Sequence, residues 1–375
     1  MQQLDTQLTK RKQENRYRSL KVYNAEMLDF ASNDYLGFSK NTHLLKKYQE
    51  YVSQLTTLGS TGSRLITGNT LLHQEIEENI ANYHESPSSL LFNSGYSANV
   101  GFWSTVPSRT ARILYDEHIH ASIREGIQLN PCTHTKFAHN SISDLENCLK
   151  NSTSPTFIAI ESVYSMQGSI APLVSILEIA QKYNAYVVVD EAHALGTISQ
   201  YGLCQHENVH LHPNLLARVF TYGKALGCHG ASIVSNRIVT DYLINFCRNF
   251  IYTTSLPETE IIKIKASYEL LAQTSIEPLS AIITYFRTKV IELELSPYFT
   301  LTATPIQALI HTTSTWIADL EKFLLHRNIF TKAIYAPTVP INQPCIRISL
   351  HTNVSFESID YLLFCIKEYI HSTPI

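Results

Sequence analysis

The chain has 375 residues, of which 44% are hydrophobic and 16% charged, and its formal net charge at pH 7 is -3. A chain of this size and composition buries a large core, and we expect one main and one smaller domain. The 29 basic residues are scattered, which argues against the concentrated positive surface of a nucleic-acid-binding protein and favours small-molecule partners.

The sequence carries no obvious targeting or membrane signal. Its first residues, MQQLDTQLTKRKQENRYRSL, lack the apolar stretch of a signal peptide, and runs such as YVVV and FIAI are too short to cross a bilayer. We therefore expect a cytoplasmic protein without a membrane partner. The seven cysteines are well separated and form no C-x-x-C pair, so we expect reduced packing residues.

Between about residues 70 and 250, β-rich runs alternate with helical patterns, which predicts an α/β fold with a mostly parallel sheet. Strands are predicted at SLLF, ARILY, TFIAIE, AYVVVD, RVFTY and ASIVS. Helices are predicted after Thr70, from Ser143, where Glu146 closes an S-x-x-E capping box, and from Pro172 to Tyr183.

The pattern changes after about residue 275. A helix carries Trp316, Ile317, Leu320 and Leu324 on one face, and strands at KAIYA and CIRISL and a helix from Ser355 follow. This predicts a small C-terminal α/β domain over residues 276–375, a large domain over 46–275 and an N-terminal segment over 1–45.

Asp190 lies at the C-terminal end of the predicted strand AYVVVD, at the sheet edge where open α/β proteins bind ligands. A carboxylate there can pair with a cationic heteroaromatic nitrogen, while the imidazole of His193, three residues later, lies beside the ring. The structural alternative is an aspartate that caps the next helix and a histidine in the core.

The segment RVFTYGKALG places Lys224 in a glycine-flanked turn after a strand, three residues after Thr221. Alone, such a lysine is more often a surface residue. Together with Asp190 on the preceding strand unit, it supplies an imine-forming amine and the partner of an electron-withdrawing ring. The pair predicts an enzyme that uses pyridoxal 5'-phosphate (PLP).

Two further segments have weaker signals. In SLLFNSGYSAN a strand gives way to a helix at Gly95 and Tyr96, where N–H groups favour phosphate, although an ordinary strand-to-helix turn looks the same. In ILYDEHIHAS, an H-x-H pair beside carboxylates could bind zinc or iron. No second ligand cluster accompanies it, and an imidazole of His120 stacked on a cofactor is the simpler explanation, so we predict no metal.

These motifs belong to a longer series that resembles the α-oxoamine synthases, PLP enzymes that condense an amino acid with an acyl thioester and release carbon dioxide. The segments are LDFASNDYLGFS, GSTGSRLITGN, FNSGYSAN, DEHIHAS, FAHN, ESVYSMQGSIAPL, VVVDEAHALG, TYGKALG and IYTTSLP. The resemblance covers about residues 28–350 and implies the PLP-dependent transferase fold type I, like aspartate aminotransferase, in a homodimer with the active site at the interface.

The resemblance also implies roles for individual residues. Lys224 would hold the cofactor as a Schiff base, Asp190 would pair with its ring nitrogen, and His120 would stack on the ring. His193 and Ser165 would hydrogen-bond the cofactor's 3'-oxygen. The phosphate would be bound by the backbone N–H groups of Gly95 and Tyr96, by the Thr221 hydroxyl and, from the neighbouring subunit, by Thr253 or Thr254.

Substrate contacts follow less directly from the resemblance. Asn33 and Arg347 match positions that face the substrate, with Arg347 as a clamp on the amino-acid carboxylate or, alternatively, a solvated arginine on a strand. Arg16 loosely matches an arginine that contacts the acyl carboxylate.

The late segments PIQALI and APTVPINQPCIRISL most resemble members that join L-alanine to a pimeloyl thioester in biotin synthesis. The family's S-M-D-G-D is S-M-Q-G-S here, and Glu258 replaces a common proline, so glycine or serine with another acyl thioester remains an alternative. The thioester carrier, coenzyme A or an acyl-carrier protein, stays open.

Two other function classes are compatible with parts of the sequence. One is a catalytically idle relative that serves as a binding subunit, which the presence of Lys224, Asp190 and His120 disfavours. The other is a metal-dependent enzyme built on His118 and His120, which a chelator would inhibit and removal of PLP would not affect. Among PLP enzymes, an aminotransferase or lyase would release no thiol.

Overall fold

The computed structural model describes residues 1–13, 17, 18, 20, 22, 24, 26–150 and 154–372. Arg16, which the sequence proposes as a substrate contact, lies outside the described residues. The chain divides into two compact units. The large unit is Asn33–Ser280, and the small unit combines Met1–Ser32 with Ala281–Ile375.

The large unit alternates strands and helices through most of its length. Its strands are β2 (Ser88–Phe92), β3 (Arg112–Asp116), β4 (Thr133–Phe137), β5 (Thr156–Glu161), β6 (Tyr186–Asp190), β7 (Leu215–Thr221) and β8 (Ala231–Ser235). Its helices are α2 (Thr42–Val52), α3 (Leu71–Tyr83), α4 (Gly95–Thr105), α5 (Ala121–Leu129), α6 (Ile142–Leu149), α7 (Leu173–Lys182), α8 (Leu203–His206), α9 (Arg237–Phe246), α10 (Arg248–Ile251) and α11 (Glu258–Leu271). A 3-10 turn covers Phe38–Lys40.

These seven strands form one sheet in the order β2-β8-β7-β6-β5-β3-β4. All neighbouring pairs are parallel except the two that involve β8, which runs antiparallel to β2 and β7. The C-terminal ends of β3, β5, β6 and β7 therefore meet at one edge of the sheet. This architecture confirms the predicted α/β class with a mostly parallel sheet.

The central strands are buried on both faces, which explains their unbroken apolar sequences. Ala159 of β5 and Val188 of β6 belong to a core cluster that includes residues of α4, α5 and α9, while Ile160 and Val189 are buried on the opposite face. Helix α4 is buried from Ala98 to Trp103, so its N-terminus is held against the sheet edge.

The small unit is built around a four-stranded antiparallel sheet in the order β12-β13-β10-β9. Its strands are β1 (Leu28–Asp29), β9 (Phe299–Thr300), β10 (Ile306–Ile310), β11 (Ile329–Phe330), β12 (Lys332–Ile334) and β13 (Cys345–Ser349). Its helices are α1 (Gln2–Gln13), α13 (Ser314–His326) and α14 (Phe356–Ser372), and a 3-10 turn covers Ser296–Tyr298. The predicted apolar face of α13 is confirmed, because Trp316, Ile317, Leu320 and Leu324 are all buried.

The observed division differs from the predicted boundaries at residues 45/46 and 275/276. The chain up to Ser32 belongs to the small unit because β1 pairs in parallel with β11, about 300 residues later in the sequence. Residues 33–45 belong to the large unit, and the second boundary falls inside α12 (Glu277–Glu292).

One local prediction is wrong. The N-cap of α6 is Ser141, whose side chain accepts a hydrogen bond from the Asp144 N–H at 3.3 Å, so Ser143 and Glu146 form no capping box. Ser141 is the N-cap because the helix already begins at Ile142, and Ser143 therefore lies within the first turn. Among the described residues, no helix combines the length and apolar character needed to span a bilayer.

Candidate active site

A cavity of about 220 Å³ lies at the edge of the sheet where β5, β6 and β7 end and α4 begins. Of the residues predicted from the sequence, those that line it are Asn33, Gly95, Tyr96, His120, Asp190, His193, Thr221 and Lys224. Asn99, Ser122, Glu161 and His229 also line the cavity, and the sequence did not single them out. The chain thus brings residues from six separate sequence segments to one site.

Lys224 reaches the cavity from the turn that follows β7. Its Nζ lies 3.3 Å from the Oγ1 of Thr221, the residue three positions earlier at the end of β7. The turn depends on Gly227, which has a φ of 61° and whose added Cβ would lie 2.3 Å from the Ser39 backbone nitrogen. Only glycine fits such a close approach in the left-handed region, so the second glycine of G-K-A-L-G is required for the turn that carries the lysine.

Asp190 ends β6 as a buried side chain with a hydrogen bond to each carboxylate oxygen. Asn99 Nδ2 donates to Oδ2 at 2.7 Å, and the Ala192 N–H donates to Oδ1 at 2.9 Å. Since both partners are donors, they stabilise the ionised carboxylate. The site therefore holds an anion at a fixed position and in a fixed orientation.

His120 caps α5 and is linked to Asp190 through two side chains. Its Nδ1 accepts the Ser122 N–H at 3.2 Å and lies 2.7 Å from Ser122 Oγ. Ser122 Oγ in turn accepts from Asn99 Nδ2 at 3.1 Å, which leaves its own proton to donate to His120. The proton of the neutral ring therefore lies on Nε2.

Electrostatics favour the same neutral state of His120. Burial lowers the pKa of the imidazole, the charge of Asp190 opposes this, and the charge of Lys224 lowers the pKa further. A neutral, flat imidazole with both Nδ1 contacts satisfied is suited to lie against an aromatic ring.

We expect Ser122→Ala to raise the pKa of His120. The hydroxyl donates to the neutral form of the ring, so its loss makes protonation easier and moves the imidazole titration to higher pH. The shift is measured by NMR titration of the histidine ring, with Ser143→Ala, in the first turn of α6, as the matched control. An unchanged His120 titration in Ser122→Ala would contradict the proposed proton arrangement.

The N-terminus of α4 provides the features expected of a phosphate site. The first N–H groups of an α-helix have no partner within the helix, and here they belong to Gly95 and Tyr96 at the cavity wall. A Cβ on Gly95 would lie 2.2 Å from Thr221 Cγ2, so glycine is required to bring this helix end next to the threonine hydroxyl. The end of β7 and the start of α4, which follows β2, thereby lie side by side and can bind one anion.

His193 lines the cavity three residues after Asp190. Its Nδ1 lies 2.7 Å from the hydroxyl of Tyr35, which is itself 3.2 Å from Asn33 Oδ1. The Thr197 hydroxyl donates to the His193 carbonyl at 2.5 Å and fixes the backbone. The imidazole is therefore held through Nδ1, and the backbone that carries it through the carbonyl group.

Four other predicted residues lie outside the lining of this cavity. Ser165 is buried, and its N–H donates to Glu161 Oε2 at 3.2 Å. Asn93 Nδ2 donates to Thr253 Oγ1 at 3.2 Å and to the Thr254 carbonyl at 2.8 Å. Arg347 belongs to the small unit, where its Nη1 donates to Ser349 Oγ at 3.2 Å. The alternative interpretation, a solvated arginine on a strand, does not hold, because the side chain is buried.

The alternative of a metal site at His118 and His120 is not supported by the geometry. His118 lies instead with Asp116 and His139, whose potential ligand atoms are within 4.8 Å of one another. His139 uses Nδ1 on Asp116 at 2.9 Å and Nε2 on Ser169 Oγ at 2.8 Å, and its ring stacks on His118 with centroids 4.2 Å apart. Because imidazole lone pairs lie in the ring plane, stacked rings do not direct them to one point.

Comparisons with known proteins show the family to which the chain belongs. Residues 25–366 match the family described as aminotransferase class I and II. A protein from Emericella nidulans named 8-amino-7-oxononanoate synthase is 35% identical and aligns with 94% of this chain and 92% of its own length. One of the same name from Chromobacterium violaceum is 34% identical over 90% of this chain and 87% of its own. The chain belongs to the α-oxoamine synthase family.

Solved structures place this α-oxoamine synthase in fold type I of the PLP-dependent enzymes. Serine palmitoyltransferase from S. paucimobilis, solved with a bound compound of PLP and myriocin, has a TM-score of 0.89 at 22% identity over 98% of this chain and 97% of that one. The 8-amino-7-oxononanoate synthase from Francisella tularensis has a TM-score of 0.79 at 27% identity over 93% and 99%. The predicted fold is confirmed.

The cofactor of this α-oxoamine synthase is PLP, and the residues of the cavity fit it. The cavity combines a lysine amine, an ionised carboxylate at a strand end, a neutral imidazole and a helix N-terminus beside a hydroxyl group. Each of these groups is chemically suited to one part of the cofactor: its aldehyde, ring nitrogen, ring face and phosphate. The protein is a PLP-dependent acyltransferase.

Proposed function

We propose that this enzyme condenses L-alanine with a pimeloyl thioester to give 8-amino-7-oxononanoate, with release of carbon dioxide and the thiol. The observation that carries the proposal is the single cavity that joins Lys224, Asp190 and His120. The choice of substrates is supported by relatives named 8-amino-7-oxononanoate synthase at 34–35% identity over at least 90% of the chain.

In this proposal the large unit supplies the groups that bind the cofactor. Lys224 binds it covalently, Asp190 pairs with its ring nitrogen, and His120 covers one ring face. Bound PLP supplies an electron-withdrawing ring that stabilises negative charge at the carbon beside the substrate amine. When the substrate amine takes its place, the Nζ of Lys224 becomes available to remove and return a proton at that carbon.

The remaining predicted residues receive binding roles in the proposal. His193 and Ser165 bind the 3'-oxygen, and the phosphate is bound by the backbone of Gly95 and Tyr96 and by the Thr221 hydroxyl. Thr253 or Thr254 reaches the phosphate in a second copy of the chain, which makes the enzyme a homodimer. Substrate contacts come from Asn33, Arg347 and Arg16, with the guanidinium of Arg347 on the amino-acid carboxylate.

A thiol-release assay tests the proposed substrates. The PLP-loaded enzyme is incubated with alanine, glycine or serine, each paired with pimeloyl, acetyl, succinyl or palmitoyl thioesters of coenzyme A, and then of an acyl-carrier protein. We expect alanine with the pimeloyl thioester to give a kcat/KM at least about tenfold above the other pairs, since pockets discriminate chain length by such factors.

The products distinguish condensation from simple thioester hydrolysis. Thiol and carbon dioxide should be released in equal amounts, and only when both substrates are present. A higher kcat/KM for glycine or serine with another acyl chain would make the enzyme a different α-oxoamine synthase. Thiol release without carbon dioxide would contradict the condensation itself.

A further inference from the structure

A second buried carboxyl group lies beside Asp190. Glu161 ends β5 and Asp190 ends β6, and the two are paired in the parallel register of the sheet. Side chains at paired positions point to the same face, and neighbouring strands lie about 4.8 Å apart. Glu161 and Asp190 are 2% and 5% exposed, and both line the cofactor cavity. Two carboxylates at paired positions of neighbouring strands, both shielded from water, repel each other.

The hydrogen bonds decide which group carries the negative charge. Asp190 accepts two bonds, at 2.7 and 2.9 Å, with one on each oxygen. Glu161 accepts the Ser165 N–H on Oε2 at 3.2 Å, and the His120 N–H stabilises its charge more weakly, while Oε1 is buried without a hydrogen-bond partner in the described part of the chain. The charge is therefore stabilised better on Asp190 than on Glu161.

The charged surroundings of Glu161 lead to the same conclusion. Burial raises its pKa well above the ordinary glutamate value, and the charge of Asp190, on the neighbouring strand, raises it further. Lys224, from the turn after β7, and the N–H groups of Ser165 and His120 act in the opposite direction but do not outweigh these effects.

We propose that Glu161 is a neutral carboxylic acid that leaves Asp190 as the only ionised carboxyl group among the described residues that line the cofactor cavity, and is thus a positioning residue for Asp190 and Lys224. An ionised Glu161 would add a second negative charge and favour the ammonium form of Lys224, which cannot attack an aldehyde. The neutral acid instead offers an O–H donor in the cavity wall. The inference rests on the cofactor and not on the identity of the substrates.

Infrared spectroscopy tests the protonation state directly. We expect the PLP-loaded wild-type enzyme at neutral pH to show the C=O stretching band of a buried carboxylic acid. Carbon-13 labelling of glutamate should shift this band, and Glu161→Gln should remove it. Glu178→Gln, at an exposed position of α7, is the matched control and should leave the band unchanged. Absence of a glutamate-sensitive acid band in the wild type overturns the proposal, and this measurement does not require the variant to fold.

Cofactor binding tests the consequence for the site. Glutamine is neutral and has almost the same shape, so Glu161→Gln should bind PLP at pH 7 within about threefold of the wild-type Kd. As pH rises through the raised pKa of Glu161, PLP affinity should fall more in the wild type than in the variant. Circular dichroism checks that the variant is folded. A loss of about tenfold or more in folded Glu161→Gln at pH 7, or identical pH profiles, overturns the proposal.

Because both measurements follow protonation and cofactor binding, they are independent of the thiol-release assay. An enzyme that prefers a different amino acid or acyl chain would still show the acid band and the altered pH profile. Conversely, failure of either measurement would leave the proposed condensation untouched.

Discussion

Lys224→Ala is expected to abolish both turnover and the covalent attachment of PLP. The amine is the group that the cofactor aldehyde requires, and its Nζ is also the proposed proton carrier, so kcat should fall by at least about 10³-fold. The attachment is measured independently of activity. Borohydride reduction followed by peptide mass spectrometry should find the reduced cofactor on the peptide that contains Lys224 in the wild type, and not in the variant.

A second variant of Lys224 separates the role of its amine from that of its charge, and a surface lysine provides a control. Lys224→Arg keeps a positive charge but presents a guanidinium, which stays protonated, so it should be as inactive as Lys224→Ala. Lys322→Ala removes an exposed lysine of α13 that pairs with Asp319 at 3.0 Å, and it should behave like the wild type. Reduced cofactor on another lysine of the wild-type chain would show that the assignment of Lys224 is wrong.

The apolar strands could be predicted from sequence because burial on both faces leaves a strong pattern. The edge strand β4 was not predicted, since four of its five residues, THTKF, are exposed and its sequence is polar. The short β1 was also missed. Its partner β11 lies about 300 residues away, and a two-residue pairing at that distance leaves no local signal.

The site was predictable to the extent that its residues follow strand ends. Lys224, Asp190, His120 and His193 lie in motifs next to predicted strands, and the structure brings them to one cavity. Their supporting residues were not found, because a hydrogen bond from Asn99 to Asp190 depends on how α4 packs against the sheet. Tertiary packing of this kind has no fixed spacing in the sequence.

Glu161 shows the same limit in another form. It lies at the end of the predicted strand TFIAIE and inside a segment that contributes to the family resemblance. Its position beside Asp190 follows from the register of β5 against β6, which the apolar pattern does not specify. A search for acidic residues at the C-terminal ends of adjacent parallel strands would have identified the pair.

Asp190→Asn is expected to lower kcat by at least about 10²-fold while PLP remains attached to Lys224, because the variant loses a preorganised charge and keeps the amine. The substitution also disturbs the hydrogen bonds. The Ala192 N–H and Asn99 Nδ2 both donate to the native carboxylate, and an amide places its own NH₂ group against one of these donors. The free energy of unfolding of the apoenzyme should therefore fall by roughly 1–3 kcal/mol, measured by denaturant titration.

Comparison with Asn99→Leu separates the charge of Asp190 from its hydrogen bonds. Leucine removes the 2.7 Å donor to Asp190 and the 3.1 Å donor to Ser122 Oγ, but it leaves the carboxylate ionised and supported by the Ala192 N–H. Its kcat should therefore stay well above that of Asp190→Asn, although the two variants lose comparable stability. Asp241→Asn, at an exposed position of α9, should match the wild type in both measurements. If Asn99→Leu and Asp190→Asn were equally inactive, orientation of the carboxylate rather than its charge would be the contribution that the strand end makes to catalysis.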